Sequence, residues 1–402
     1  MKKLGAASNS RDLKILNRIL VLNTIRKYGP IARYEVSEKV GLTPPTVTVI
    51  VNEFLKNEIV TEIGWGESSG GRRPVMLELN SRAGYIFAVR IQQGELVTAI
   101  LDLTSNILES RHQKLNTANP EDVVLSIEAS LESLLEDVGI SRAKILYCGI
   151  ASPGLVNPAL GLVELSSNLA WHNVPFGNML SECLKNIPVH IENLSNAAAL
   201  GEKVYGSGKS CPNLIYLNLS VGIGAGIIIN NEVFGGAKGY AGEVGKTETF
   251  INGQIRCFED VCGSRAVLDR VKSNIPDEVF ESCQLSKNRL TIGDLFLAPL
   301  VDIPEIKKII NETGMVIGMK VANLISIFNT GMVILGGELG RAGDLLLDIV
   351  KNTARENTMP EMFDSVQIIS STMQEDPPLM GVYALVLEKV FNMGLLTAES
   401  DI

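Results

Sequence analysis

Histidine is nearly absent: 402 residues hold three, at 112, 172 and 190, none near another. Imidazoles so few and so isolated argue against a histidine metal centre or acid–base site, and each reads as structural or exposed. Cysteine is sparse as well. Its six residues (148, 183, 211, 257, 262, 283) follow no framework spacing. In a chain of this size that points to reduced thiols and the cytoplasm. Cys257 and Cys262, the nearest pair, have no histidine beside them, which speaks against zinc. No apolar run is long enough to span a bilayer, so no membrane partner is expected. The opening MKKLGAASNSRDLKIL lacks the apolar stretch of a secretory signal.

Basic charge is scarce overall but not at the start. Residues 1–75 carry 12 Lys and Arg against 7 Asp and Glu, a net of +5; the remainder carries 24 against 38, a net of −14. A basic head on an acidic body predicts that only the head meets a polyanion.

The head reads as helices and a hairpin. LKILNRILVLNTIRKYG places Leu13, Leu16, Ile19 and Leu20 at helical spacing, closed by Gly29. RYEVSEKVGL predicts a shorter helix ending at Gly41. In TPPTVTVIVNEFLKN, Thr43 is a fair N-cap and Pro44 sits at the first helical position, where its missing N–H costs nothing. Val47, Ile50, Val51 and Phe54 share a face and leave Thr46, Thr48 and Asn52 free. Two short helices joined through Gly41 and Leu42, the second polar at its start, follow the helix-turn-helix pattern. IVTEIGW and RPVMLELN then alternate as two strands around GESSGGRR, a wing whose tip holds Arg72 and Arg73. The expected DNA-binding set is therefore Thr43, Pro44, Thr46, Thr48, Asn52, Arg72 and Arg73, on double-stranded DNA. With Val49 and Ile50 on the second helix, direct base reading is expected to be modest. The bland alternative is a small helical bundle with a surface hairpin.

From residue 81 strands interleave with helices, indicating an α/β body. YIFAVRIQQGELVTAILDLTSNIL predicts three strands turning at Gln93-Gly94 and Thr104-Ser105. PEDVVLSIEASLESLLEDVG predicts an amphipathic helix, and KILYCGIASPG a buried strand. GSGKS (206–210) imitates a phosphate loop, but Lys203 stands where its first glycine should and Pro212 follows. GIGAG (222–226) imitates a dinucleotide fingerprint, but a β-branched run leaves it, so it reads as a turn between strands whose backbone approaches a phosphate or a sugar.

Taken in order, GGRRP, SPGLV, NLAW, ENLSNAAALGE, LSVGIGAGII, GYAGEVGK and ILGGELGRAGDLLL resemble the ROK family (repressor, open reading frame, kinase) along nearly the whole chain, in its xylose-repressor and N-acetylglucosamine-repressor branch. The resemblance implies an N-terminal winged helix-turn-helix (1–80) and a two-lobed, actin-like or hexokinase-like body. The first lobe would span 81–200, rejoined by a C-terminal helix at about 380–402, and the second 201–380, with a sugar in the cleft between them. Family kinases carry an Asp directly after the Asn of the ENLSN corner, as the base for the sugar hydroxyl. Asn193 matches the Asn and Leu194 takes the Asp position. A positioned base is worth about 10²–10⁴ in rate, and leucine accepts no proton.

Further departures point the same way. The Asp-x-Gly-Gly-Thr turn of the kinases reads RIQQGE here, with Arg90 in place of the Asp and Gln92 and Gln93 in place of the permissive glycines. Ser220–Gly222 replaces the second phosphate turn. Lys246 takes the position of a zinc-binding His, and of the cysteine module only Cys257 remains, with Phe250 and Asn252 at the first two Cys positions. No zinc and no ATP are expected, and packing must brace that loop. The resemblance leaves Gly154, Asn168, Asn193, Glu243, Lys246 and Glu259 as the expected effector site, with capping an equal alternative for Asn168. Lys246 would favour an acidic or phosphorylated sugar unless it pairs with Glu243. The implied function is a sugar-responsive regulator without kinase activity, homodimeric or tetrameric. A kinase with an accessory DNA-binding head, and a regulator answering to a protein partner, are the alternatives.

Overall fold

The computed structural model describes residues 10–67, 73–251, 253–283, 285–393 and 396. The head comprises α1 (Ser10–Tyr28), α2 (Arg33–Val40) and α3 (Pro44–Lys56) with β1 (Ile31–Ala32), β2 (Val60–Trp65) and β3 (Val75–Leu79). The strands form an antiparallel sheet in the order β1-β3-β2. The first strand, two residues long, carries no pattern a sequence could display. Gly41, at φ 68°, closes α2 in the left-handed conformation that glycine adopts without steric cost. Thr43 then caps α3, accepting from the Thr46 N–H. Val47, Ile50, Val51 and Phe54 are buried as their spacing predicts.

The α1 stripe departs from expectation. Its buried residues are Val21, Leu22 and Ile25, whereas Leu13, Leu16 and Leu20 are 48%, 50% and 43% exposed. Periodicity marks an apolar face but not how far a neighbour extends along it. Here α2, α3 and the sheet cover only the C-terminal half.

In the body, β4 (Tyr85–Gln92), β5 (Glu95–Asp102) and β6 (Ile107–Lys114) run antiparallel. Helix α4 (Pro120–Val138) carries the chain across to β7 (Ile145–Ser152), parallel to β4. A small sheet follows, of β8 (Leu155–Asn157), β9 (Leu162–Ser166) and β10 (Trp171–Val174). After α5 (Phe176–Leu184), β11 (Val189–Asn193) completes a five-stranded sheet ordered β11-β7-β4-β5-β6. Alternate residues of β4 serve two cores. Phe87, Val89 and Ile91 pack with Val123, Ile127 and Leu131 of α4. Ile86 and Ala88 face the opposite way, toward Val382, Tyr383 and Val386.

Helix α6 (Leu194–Val204) leads to the second sheet, which opens with β12 (Leu214–Leu219), β13 (Ile223–Ile229) and β14 (Glu232–Val233). A hairpin of β15 (Glu248–Ile251) and β16 (Gln254–Cys257) comes next. Helices α7 (Phe258–Cys262), α8 (Ser264–Asn274), α9 (Asp277–Ser282) and α10 (Pro304–Phe328) then cover the sheet. Strand β17 (Met332–Gly336), α11 (Gly337–Gly340), α12 (Asp344–Glu356), α13 (Pro360–Phe363) and β18 (Gln367–Ser370) complete the order β14-β13-β12-β17-β18.

The last helix, α14 (Pro377–Asn392), returns to the first sheet and packs along α6. Small residues make that crossing close. A Cβ on Gly381 would fall deep inside contact with the Ala197 carbonyl, and one on Gly201 with the Pro377 carbonyl. The far end of α14 holds the head. Arg26 of α1 pairs with Glu388 at 2.6 Å and lies over the Phe391 ring.

Candidate functional site

A cavity of about 400 Å³ opens between the two sheets at the N-terminus of α6. Gly154, Asn168, Asn193, Glu243, Lys246 and Glu259, drawn from five separate motifs, all line it. The extended β11 ends at Asn193, whose side chain closes the corner: its Oδ1 accepts from the Ser195 and Asn196 N–H groups at 2.8 and 3.2 Å, and its Nδ2 donates to the Gly154 carbonyl at 2.9 Å. Asn193 is thus first a helix cap. Gly154, at φ 105°, has no room for a Cβ beneath Ser166 and the Leu165 carbonyl. Leu194 follows at the first position of α6, 8% exposed, with its side chain on the cavity wall.

Three charged side chains face the cavity. Lys246 Nζ donates to Glu259 Oε1 at 2.8 Å, and the Ile223 N–H donates to Glu259 Oε2 at 2.8 Å. The expected alternative pairing of Lys246 with Glu243 is therefore not made: Val244–Lys246 is one short 3₁₀ turn that aims the ammonium across the loop. The hydrogen bond to Glu259 holds the Lys246 pKa above its ordinary value. Burial pushes the Glu243 carboxyl up; Lys246 opposes this and Glu259 reinforces it. Gly222 lets Asn168 and Glu259 come close, since a Cβ there would meet Asn168 Nδ2 at 2.6 Å. Gly226 serves packing instead, its missing Cβ admitting the Ser195 carbonyl of α6, and a Cβ on Gly224 would meet Ser195 Oγ at 2.6 Å. Of the GIGAG glycines, Gly222 and Gly224 line the cavity. Gln92, Gln93, Ser166, Asn218 and Ser220 also line the cavity. In the sequence the two glutamines read only as lost glycines and Ser220 as part of a replaced phosphate turn, and no local signal identifies Ser166 and Asn218.

Beside this cavity lies a second of about 310 Å³, lined by Arg90, Glu95, Leu194, Arg341 and Asp376 among others. Arg90, almost wholly buried, reaches Asp376 and Glu95 at 2.6 Å each and also donates to Gln92. A side chain of β4 is thereby tied to the N-cap residue of α14 across 286 positions of sequence.

The 206–210 imitation is reversed in sense. Lys203 Nζ donates to the carbonyls of Gly208, Lys209 and Cys211, so the segment aims acceptors at a cation rather than N–H groups at a phosphate. Among the described residues no group of three or more His, Cys, Asp or Glu is placed to hold a metal ion. Position 252 lies outside the described residues, Phe250 is exposed, and the Cys257 thiol faces the Lys246 carbonyl. These donors do not fit zinc. The hairpin root is held instead by Lys320, which donates to Thr247 Oγ1 at 2.7 Å and to the Glu248 carbonyl. Packing was expected to brace this loop, and part of the brace is this set of polar contacts.

In the head, Thr43, Pro44, Thr48 and Asn52 are exposed along α3 and Thr46 is half-buried. Thr48 Oγ1 donates to the Pro44 carbonyl, while Asn52 accepts from Arg33, itself paired with Glu62 of β2. Ile50 belongs to the core, whereas Val49 is 68% exposed. Arg73 is exposed, and Arg72 lies outside the described residues.

Comparison with known proteins places this geometry. The ROK family model matches residues 86–389. A putative xylose repressor of Caldicellulosiruptor sp. (strain Rt8B.4) is 31% identical over 390 residues, covering 94% of this chain and 97% of the relative. A ROK family transcriptional regulator described as a homologue of the E. coli MLC protein aligns with a TM-score of 0.79 at 24% identity, over 96% of this chain and all of that one. A ROK family glucokinase from Streptomyces griseus, solved with glucose and AMPPNP, aligns at 0.65 and 24% identity, over 75% of this chain and 99% of that one. The body therefore has the family's actin-like, hexokinase-like fold.

Proposed function

Because the chain belongs to the ROK family, we propose that it is a sugar-responsive transcriptional repressor of carbohydrate genes that has no kinase activity. The observation that carries this reading is the cavity itself. Residues from five motifs converge on it, yet its corner presents Leu194 where the family's kinases place their base. Beside it, Arg90 with Glu95 and Asp376 fills the place of the first phosphate turn. Arg90 and Arg341 against Glu95, Glu338 and Asp376 leave a formal charge of −1 there, which does not favour a triphosphate.

The head is a winged helix-turn-helix in this reading, with α3 entering a major groove and Arg73 on the wing meeting phosphate. A homodimer in the cytoplasm would present two heads to a palindromic operator, and the exposed Leu13, Leu16 and Leu20 offer a surface for pairing. A sugar held by Asn168, Glu243 and Glu259 would act on α6, whose partner α14 carries the head. It shifts the heads to the extent that it binds one lobe arrangement better than the other.

Fluorescence anisotropy on DNA from upstream of its own gene, with and without D-xylose, D-glucose and N-acetyl-D-glucosamine, tests the reading. Nanomolar binding that one sugar weakens at least tenfold is expected. A coupled ADP assay on the same sugars should stay at background, and turnover at an enzyme's pace would overturn the proposal. Arg73→Ala should reduce the slope of log K against log salt by about 0.9, the share of one phosphate contact. An unchanged slope would remove the wing from the interface. Val49, offered outward on α3, suits a thymine methyl. Val49→Ser should cost about 1 kcal/mol on the preferred operator and nearly nothing on random DNA.

A further inference from the structure

We infer that the cavity selects an uncharged sugar and rejects phosphorylated and acidic ones. This rests on the effector reading above and adds to it the chemical class of the ligand.

Three features of the cavity could bind an anion, an ammonium, a helix N-terminus and the N–H of a glycine turn, and each is already committed within the chain. The ammonium of Lys246 is given to Glu259 at 2.8 Å. The N-terminus of α6, which a phosphate could otherwise approach, is closed by Asn193 Oδ1 on the Ser195 and Asn196 N–H groups. The glycine turn after β12 offers the Ile223 N–H, and Glu259 Oε2 takes it. The Glu259 carboxylate thus sits where a bound anion would sit, neutralised by one ammonium and one backbone dipole.

What remains is Glu243, which has no hydrogen-bond partner among the described residues and whose carboxyl is raised by burial. No arginine and no histidine line the cavity. With two carboxylates against one ammonium, its formal charge is −1. A phosphate dianion or a uronate would meet that excess in a site partly shielded from water, where like charges repel strongly. Hydroxyl groups face no such penalty. They can donate to Glu243 and accept from Asn168, Gln92 or Gln93, and a carbon ring can rest on Leu155, Leu194 and Ile223.

Isothermal titration of the full-length protein decides the matter, with D-xylose, D-glucose and N-acetyl-D-glucosamine against D-glucose 6-phosphate, N-acetyl-D-glucosamine 6-phosphate and D-glucuronate. At least one neutral sugar should bind, and ten times or more tighter than every anionic probe. Glu243→Gln removes the uncompensated charge while keeping a hydrogen-bonding group, and should narrow that gap at least threefold. Its melting curve confirms that it folds. An anionic probe binding as tightly as the best neutral sugar would overturn this inference and leave the effector reading standing. Binding of none of the six would overturn the effector reading, and this inference with it.

Discussion

Gly381→Ala will destabilise the protein by about 3 kcal/mol or more, at the upper end of what one added methyl costs in a packed interior. The new Cβ would collide not with a flexible side-chain tip but with the carbonyl carbon and oxygen of Ala197, in the backbone of α6. Relief requires α6 and α14 to part, and both helices are packed along most of their length. Urea unfolding followed by circular dichroism reads the shift. Gly293→Ala is the control: its Cβ would meet only Thr291 Oγ1, at 3.8 Å, and its midpoint should barely move. If Gly381→Ala unfolds where the parent does, the crossing is looser than its geometry indicates. A folded but weakened variant should also lose sugar response before it loses DNA binding, since α14 lies between the cavity and the head.

Arg90→Met should cost about 2–3 kcal/mol. Breaking a fully buried ion pair costs about 3–5 kcal/mol, and the figure is lower here because Glu95 and Asp376 keep some contact with water. The effect carries a pH signature. Burial resists ionisation of Glu95, but the hydrogen bond and charge of Arg90, aided by His112, outweigh it and hold the carboxyl below its ordinary 4.5. A depressed carboxyl stabilises the fold fully above that ordinary value, and the contribution drains away as pH falls through the lower, folded one. Wild type should therefore lose stability on acidification below about pH 4.5 more steeply than Arg90→Met. Equal slopes would mean that Arg90 does not govern Glu95.

Much of this molecule is legible in the chain alone, for identifiable reasons. Helix α3 shows its cap, its proline and its buried face because all three lie within 14 residues and follow one period. The β4–β5–β6 meander is legible because its turns fall at residues with φ of 75°, Gly94 and Ser105. The convergence of Asn168, Glu243 and Glu259 on one cavity follows from the order of motifs and could not be had from spacing, since 91 positions separate the first from the last.

What stayed hidden depends on partners distant in sequence. Nothing near Arg90 announces Asp376. Lys246 lies three residues from Glu243, a neighbour's distance on an α-helix, but the backbone there makes one tight turn and sends it to Glu259. The apolar stripe of α1 looks uniform, and only the extent of its neighbours decides which half is covered.

One seam bears on how such proteins can be recombined. Val21, Leu22, Ile25, Leu77 and Leu79 of the head share a continuous apolar cluster with Ile86, Tyr383, Val386 and Phe391 of the body. The head is therefore no detachable cassette. Grafted onto a sibling's trunk, it would keep its own helices but lose the surface it is moulded against, so chimaeras must carry α14 with the head or recut both sides of the joint together.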